Sequence, residues 1–264
     1  MRQRLGAGHV ARVEAWRQMA GLAGAGLVAG VMNALAGGGT FAAFPALIAS
    51  GLPPTVANAT CNTALLPGAA ASAWTLRRHL TAFGPLAMRT LAGLTLAGGA
   101  VGAWLLHLTS EAAFRAIVPW LLLLASLTLT FGTRLRRALE RSEFRLHAGG
   151  AAALQFALGV YGGYFGGAVG LLMMASWVLV SDLPIQRLAP ARTLLLTCAN
   201  AAACVLFAGL GLIAWTRAAP VALGGVAGGV LGARVGMKLP ALWVRAATLA
   251  ITYATTVVFF LRAY

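Results

Sequence analysis

Carboxylates are almost absent. The 264 residues hold five Asp and Glu, and charged residues of both signs make up only 9%. A water-soluble domain carries about 25% charge, so a globule exposed to solvent on all sides is excluded. No pair of carboxylates is available for acid/base catalysis. Cysteine is scarce too: Cys61, Cys198 and Cys204 all lie in apolar runs, which argues against a disulfide framework. The sequence has no H-E-x-x-H, no G-x-S-x-G and no glycine loop followed by Lys-Ser/Thr. Gly24-Ala25-Gly26 with Gly30 sits inside an apolar stretch rather than after a strand, so it is no dinucleotide fingerprint. An enzyme is therefore the weaker class.

What is abundant is apolar sequence, at 60% of the chain. No charged residue stands between Arg17 and Arg77, and another charge-free run covers Ala148 to Ser181. About 20 apolar residues suffice to cross hydrocarbon about 30 Å thick. The chain reads as an all-α, polytopic bundle of transmembrane helices. Eight spans are predicted, over roughly 20–50, 57–76, 83–106, 114–133, 148–180, 190–213, 218–236 and 243–262. The basic N-terminus resembles a signal peptide, but its apolar run is too long for one and reads as a retained helix.

Two of these spans are too long for one crossing. Both hold glycine clusters: Gly37-Gly38-Gly39 in the first, and Gly162-Gly163, Gly166-Gly167 and Gly170 in the second. Glycine destabilises a helix interior by up to about 1 kcal/mol, so both helices are expected to break there. Backbone freed within a membrane must line a cavity or be buried in protein.

Basic residues outnumber acidic ones by 20 to 5, and nineteen of the twenty are Arg. Without a folded polar domain to bear a basic face, nucleic acid is not an expected partner. The Arg clusters read instead as orientation signals. Placing Arg2 to Arg17, Arg77-Arg78 and the Arg134–Arg145 group in the cytoplasm fits eight spans with both ends inside. The connection near Arg234, Lys238 and Arg245 then falls outside, against the rule.

The sequence repeats. A shift of 131 aligns Gly39 with Gly170, Pro53 with Pro184 and Leu65 with Leu196; a shift of 130 aligns Gly98-Gly99 with Gly228-Gly229 and Arg115 with Arg245. The expected organisation is a basic cytoplasmic N-terminus (1–19), a first repeat (20–133), a basic linker (134–147) and a second repeat (148–264). Four spans per half make the repeats parallel; one extra crossing at each glycine break makes them inverted. Duplicated halves with a site at their interface are a transporter design.

Certain motifs carry a family resemblance. Gly30-Val31-Met32-Asn33-Ala34-Leu35-Ala36-Gly37-Gly38-Gly39-Thr40, then Pro45, then Gly51-Leu52-Pro53-Pro54-Thr55-Val56-Ala57-Asn58-Ala59-Thr60, resembles the first-repeat signature of the sulfite exporter TauE/SafE permeases. Tyr161-Gly162-Gly163-Tyr164-Phe165-Gly166-Gly167-Ala168-Val169-Gly170 is similar to that family's second glycine motif. Where the family often has a Lys-Asn or similar polar pair after that motif, this chain has Arg192-Thr193. The resemblance implies a multi-pass permease of a bacterial inner membrane, exporting a small anion such as sulfite or an organosulfonate.

Candidate substrate-binding residues follow from polar groups inside spans and from the glycine breaks. They are Asn33, Gly37, Gly38, Gly39, Thr40, Asn58, Thr60, Asn62, Gly166, Gly167, Gly170, Arg192 and Thr193. Unwound N–H groups and half-helix N-termini attract anions, and Arg suits oxyanions. Opposed to this, Ser, Thr and Asn also serve as interhelical hydrogen-bonding groups, and Arg snorkels. No cofactor or metal is expected. The expected partners are the lipid bilayer and the anion, with a homo-oligomer left open. A non-transporting assembly subunit and an intramembrane enzyme stand as alternatives.

Overall fold

The computed structural model describes residues 2–35, 38–140, 145–236 and 241–264, and every element among them is helical. The order is α1 (Arg2–Leu35), α2 (Thr40–Ala49), α3 (Pro54–Leu76), α4 (Met88–Leu108), α5 (Glu111–Glu140), α6 (Ala148–Tyr164), α7 (Val169–Ser176), α8 (Ile185–Gly209), α9 (Trp215–Gly236) and α10 (Ala241–Ala263). Short 3₁₀ turns follow α3 and α7. Four helical stretches are long and apolar enough to cross a bilayer: Met88–Leu108, Glu111–Gly132, Gln186–Gly209 and Ala246–Ala263.

Both oversized stretches break at their glycines, and the chain then reverses. Gly39 sits against Ala29 and Asn33 of α1, while at the far end of α2 the Ser50 carbonyl accepts a hydrogen bond from Gln18 (3.0 Å). Thus α2 runs back antiparallel along α1. The second half does the same, since Leu146 N–H, before α6, donates to the Leu179 carbonyl after α7 (2.8 Å). The expectation that 20–50 and 148–180 each make one broken crossing is corrected: each is a helical hairpin. The reversal has a packing cause. α2 buries Phe41, Ala43, Phe44 and Leu47 completely or nearly so, and a helix continuing outward from Gly39 would leave them without protein partners.

Pairings elsewhere fix the other directions. α5 and α10 are antiparallel: Trp120 Nε1 donates to Tyr264 OH (3.1 Å), and hydroxyl–hydroxyl hydrogen bonds join Ser126 with Thr256 (2.9 Å) and Thr130 with Tyr253 (2.8 Å). α1 and α9 run parallel, as do α4 and α6. One end of the molecule gathers Gln18, Ser50, Thr55, Glu111 and Tyr264. The other gathers Arg77, Leu146, Leu179 and Arg187, with Thr81 Oγ1 donating to the Arg187 carbonyl (3.2 Å). A buried network braces the second hairpin against α4: Trp177 Nε1 donates to Gln155 Oε1 (3.0 Å), and Gln155 Nε2 to Thr95 Oγ1 (2.8 Å).

Lipid tails are as apolar as leucine, so helices in a bilayer associate through close approach rather than through the hydrophobic effect. Glycine faces supply that approach here. A methyl group at Gly98 would press into the backbone of Phe156 and Val160, and one at Gly228 into Leu27. Gly93, on the same helix as Gly98, faces open space. Overpacking costs about 1–3 kcal/mol, more where backbone cannot yield. Gly98→Leu is therefore expected to lower sharply the recovery of monodisperse, detergent-solubilised protein. Gly93→Leu should leave it near the parent level.

Candidate functional site

Between the two hairpins lies a cavity of about 520 Å³. Its walls come from both halves of the chain: Gly30, Asn33 and Ala34 of α1, α3 from Asn62 to Leu76, the break at Phe165–Gly166, Gly170 of α7, α8 from Arg192 to Asn200, and Gly225 to Val230 of α9. α3 shows which way it opens. Residues 57–65 are buried, whereas Ala71, Ser72, Trp74 and Thr75 are exposed, so the cavity widens toward the Arg77 end. α1, α3 and α9 all line it, and none is among the four most apolar stretches. Their Gly, Ala, Asn and Thr content suits a wall that meets water.

At the floor of the cavity the second glycine break is built from left-handed backbone. Gly166 has φ +74° and Ala168 φ +56°, the latter rare for a residue with a side chain. That geometry ends α6, starts α7 and lays Gly166 against the Asn62 carboxamide. Tyr161 OH holds the turn by donating to the Gly167 carbonyl (2.9 Å), and Asn58 Nδ2 donates to the Tyr164 carbonyl (2.8 Å). Asn62 is buried, yet neither of its amide atoms finds a partner; Oδ1 of Asn200 is likewise unpartnered. Buried polar groups are nearly always satisfied, so unpartnered atoms facing a cavity call for a ligand or water.

Arg192 enters the same space about two turns into α8. Its stem passes over Gly170, where a methyl group would lie 3.3 Å from Cδ. Among the described residues its guanidinium makes no hydrogen bond or ion pair, and no Asp, Glu or His among them lines the cavity. An unpaired guanidinium beside free carboxamides and a glycine break is chemistry for binding an anion.

The chain matches the sulfite exporter TauE/SafE family over residues 22–259. It belongs to that family. A "Probable membrane transporter protein" of Haemophilus influenzae is 28% identical over 215 residues, covering 81% of this chain and 82% of that one. A "Probable membrane transporter protein YfcA" of Escherichia coli K12 is 26% identical over 219 residues, covering 81% of this chain and 77% of that one. No solved structure matches. As a TauE/SafE protein with several apolar helices, the chain is a multi-pass membrane transporter.

Within this TauE/SafE fold, Asn33, Thr40, Asn62, Gly166, Gly170, Arg192 and Thr193 converge on the cavity wall. The others lie apart from it. Gly38 and Gly39 are buried in the first turn-back, where Gly39 N–H donates to Asn33 Oδ1 (2.8 Å). Thr60 Oγ1 accepts from Ala214 N–H (3.0 Å), tying α3 to the α8–α9 turn. Asn58 and Gly167 hold the second break from behind. Gly37 is outside the described residues. Asn200, Phe165 and the glycines of α9 line the cavity without being among the sequence candidates. Asn200 had a usable signal, because the 131-residue shift pairs it with Ala69, another lining residue.

Proposed function

We propose that this TauE/SafE protein is a permease carrying a small sulfur-containing oxyanion or organosulfonate from the cytoplasm across a bacterial inner membrane. The observation that carries the reading is the Arg192 guanidinium, unpaired among the described residues, in a cavity of about 520 Å³ with the unpartnered Asn62 amide. The transporter names of the relatives and the absence of acid/base groups from the cavity wall favour a carrier over an enzyme.

The proposal includes two repeats, 20–133 and 148–264, joined by the 134–147 linker after an N-terminal segment 1–19. Each repeat contributes five passes, its hairpin counting twice, rather than the four of an eight-span bundle. Three features support an inverted relation. The equivalent helices α5 and α10 are antiparallel, and Ser126 bonds to Thr256, its counterpart under the 130-residue shift. α1 packs on α9 as α6 packs on α4, an exchange of corresponding elements.

The inverted arrangement brings the Arg234–Arg245 connection into line with the other inter-helix Arg clusters and leaves the N-terminal Arg2–Arg17 group as the exception. Arg77-Arg78, the 134–147 linker, Arg187 and the Arg234–Arg245 connection then share one face, which the positive-inside rule makes cytoplasmic. The N-terminus lies on the opposite face, contrary to the reading of segment 1–19 as cytoplasmic. The cavity opens to the cytoplasm, as uptake of an exported anion requires. A membrane-impermeant maleimide applied to intact cells should label Val13→Cys and spare His79→Cys; the reverse pattern overturns this topology.

The functional test is flux of radiolabelled sulfite and taurine in proteoliposomes containing this chain alone. Saturable flux of either above empty liposomes is expected. Properly inserted, monodisperse protein giving no flux of either would sink the reading and favour an assembly subunit.

A further inference from the structure

A second cavity, of about 600 Å³, lies at the Gln18 end of the molecule, away from the first. It is framed by the end of α2, the Pro53-Pro54 turn, the first turns of α5 and the last turn of α10. Three charged residues line it: Arg115, Arg262 and Glu111. The Glu111 carboxylate is already engaged, accepting from both the hydroxyl and the backbone N–H of Thr55. Neither guanidinium has an ion pair or hydrogen bond among the described residues. Two guanidinium groups against one carboxylate, itself held by Thr55, leave the cavity with an excess of positive charge.

A run of three rings connects the walls of the two cavities. Phe165 lines the first and Phe259 the second. Phe44 of α2, fully buried, touches both: its ring meets Phe165 edge-on at 6.2 Å between centroids and stacks on Phe259 at 5.4 Å. Three aromatic rings thus form the partition between a cytoplasm-facing chamber and a chamber on the other face.

We propose that the second cavity is a binding site for small oxyanions and sulfonates, with Arg115 and Arg262 as the groups that hold them. Two guanidinium forks lining one space offer an anion more donors than one, and each can donate two parallel hydrogen bonds. The site's role as the release chamber of the path rests on the permease reading, whereas its capacity to bind does not. Phe44 separates it from the Arg192 site, so the two bind independently while the rings are packed.

The test needs no transport. In a chain with Cys61, Cys198 and Cys204 replaced by Ala, Ala263→Cys places a thiol on the cavity wall, with Leu52→Cys as a second reporter. Modification rates are measured in lipid-free neutral detergent with sulfonate-bearing and trimethylammonium-bearing methanethiosulfonates. The sulfonate reagent should react preferentially, and Arg115→Gln/Arg262→Gln should reduce that preference by about tenfold or more. Millimolar sulfate should slow the reaction at either reporter, while chloride at equal ionic strength should not. Arg192→Gln should leave these rates unchanged. A charge preference indifferent to the double substitution overturns the proposal, as does an absence of sulfate protection at both reporters. Protection by added phosphatidylglycerol but not by sulfate makes the cavity a lipid-headgroup site and also overturns it. Absent flux in the liposome assay, with sulfate protection intact, would sink the permease reading and leave the binding site standing.

Discussion

Arg192→Gln is expected to raise the half-saturating anion concentration by about tenfold to a hundredfold, with little change in protein yield or thermal midpoint. A charge-assisted hydrogen bond contributes about 1.5–3 kcal/mol, and each 1.4 kcal/mol is a factor of ten. Yield should hold because the guanidinium contributes no hydrogen bond to the fold, and its stem packs over Gly170 without a locking contact. Arg192→Lys should fall between, since it keeps the charge and loses the fork. Arg187→Gln is the control: Arg187 sits exposed in the first turn of the same helix, outside the cavity. Measured flux against concentration decides the matter. Unchanged kinetics in both Arg192 variants would reduce that residue to a cation lying along the cavity mouth.

How much of this was legible before the fold was seen differs residue by residue. The breaks were legible because glycine weakens helices locally, and α1 ends at Leu35 while α6 ends at Tyr164, each beside its cluster. The reversal was not. Glycine marks where a helix stops but says nothing about where the chain goes next, and that direction is set by Phe41, Phe44 and Leu47 seeking partners. The charge pattern did contain the answer in disguise, as an Arg234–Arg245 connection that no eight-span scheme could place comfortably. Arg192 stood out because a cation within an apolar run is rare. Asn58 and Thr60 looked equally exceptional, yet both tie down backbone: Asn58 Nδ2 donates to the Tyr164 carbonyl, leaving its Oδ1 unpartnered, and Thr60 Oγ1 accepts from Ala214 N–H. Side-chain type cannot separate these uses; only the neighbour across the interface does. Phe44 and Phe165 were invisible as a partition, because an aromatic residue in an apolar run carries no mark of what it divides.

Voltage should drive the proposed transport, and a pH gradient should not. The basis is the chemistry of the walls: no Asp, Glu or His lines the main cavity. Proton- and sodium-coupled carriers commonly place such groups within the membrane as relays or ligands. Among the described acidic residues, Asp182 is largely exposed and paired with Arg145 at 2.6 Å, and Glu111 is engaged by Thr55 at the far cavity. Neither reaches Arg192. An anion leaving a negative cytoplasm gains about 2.3 kcal/mol per charge for each 100 mV. For a dianion the gain is roughly double, enough to support an outward gradient of more than a thousandfold. Proteoliposomes loaded with labelled anion and held at a potassium–valinomycin potential, with pH equal on both sides, should therefore show flux that follows the sign and size of the voltage. Collapsing the potential should abolish uphill movement, and a pH gradient imposed at zero potential should not restore it. Flux that ignores voltage and tracks an imposed pH gradient would defeat this mechanism. Glu111 would then be the first residue to replace, because it is the acidic group that lines a chamber of the path.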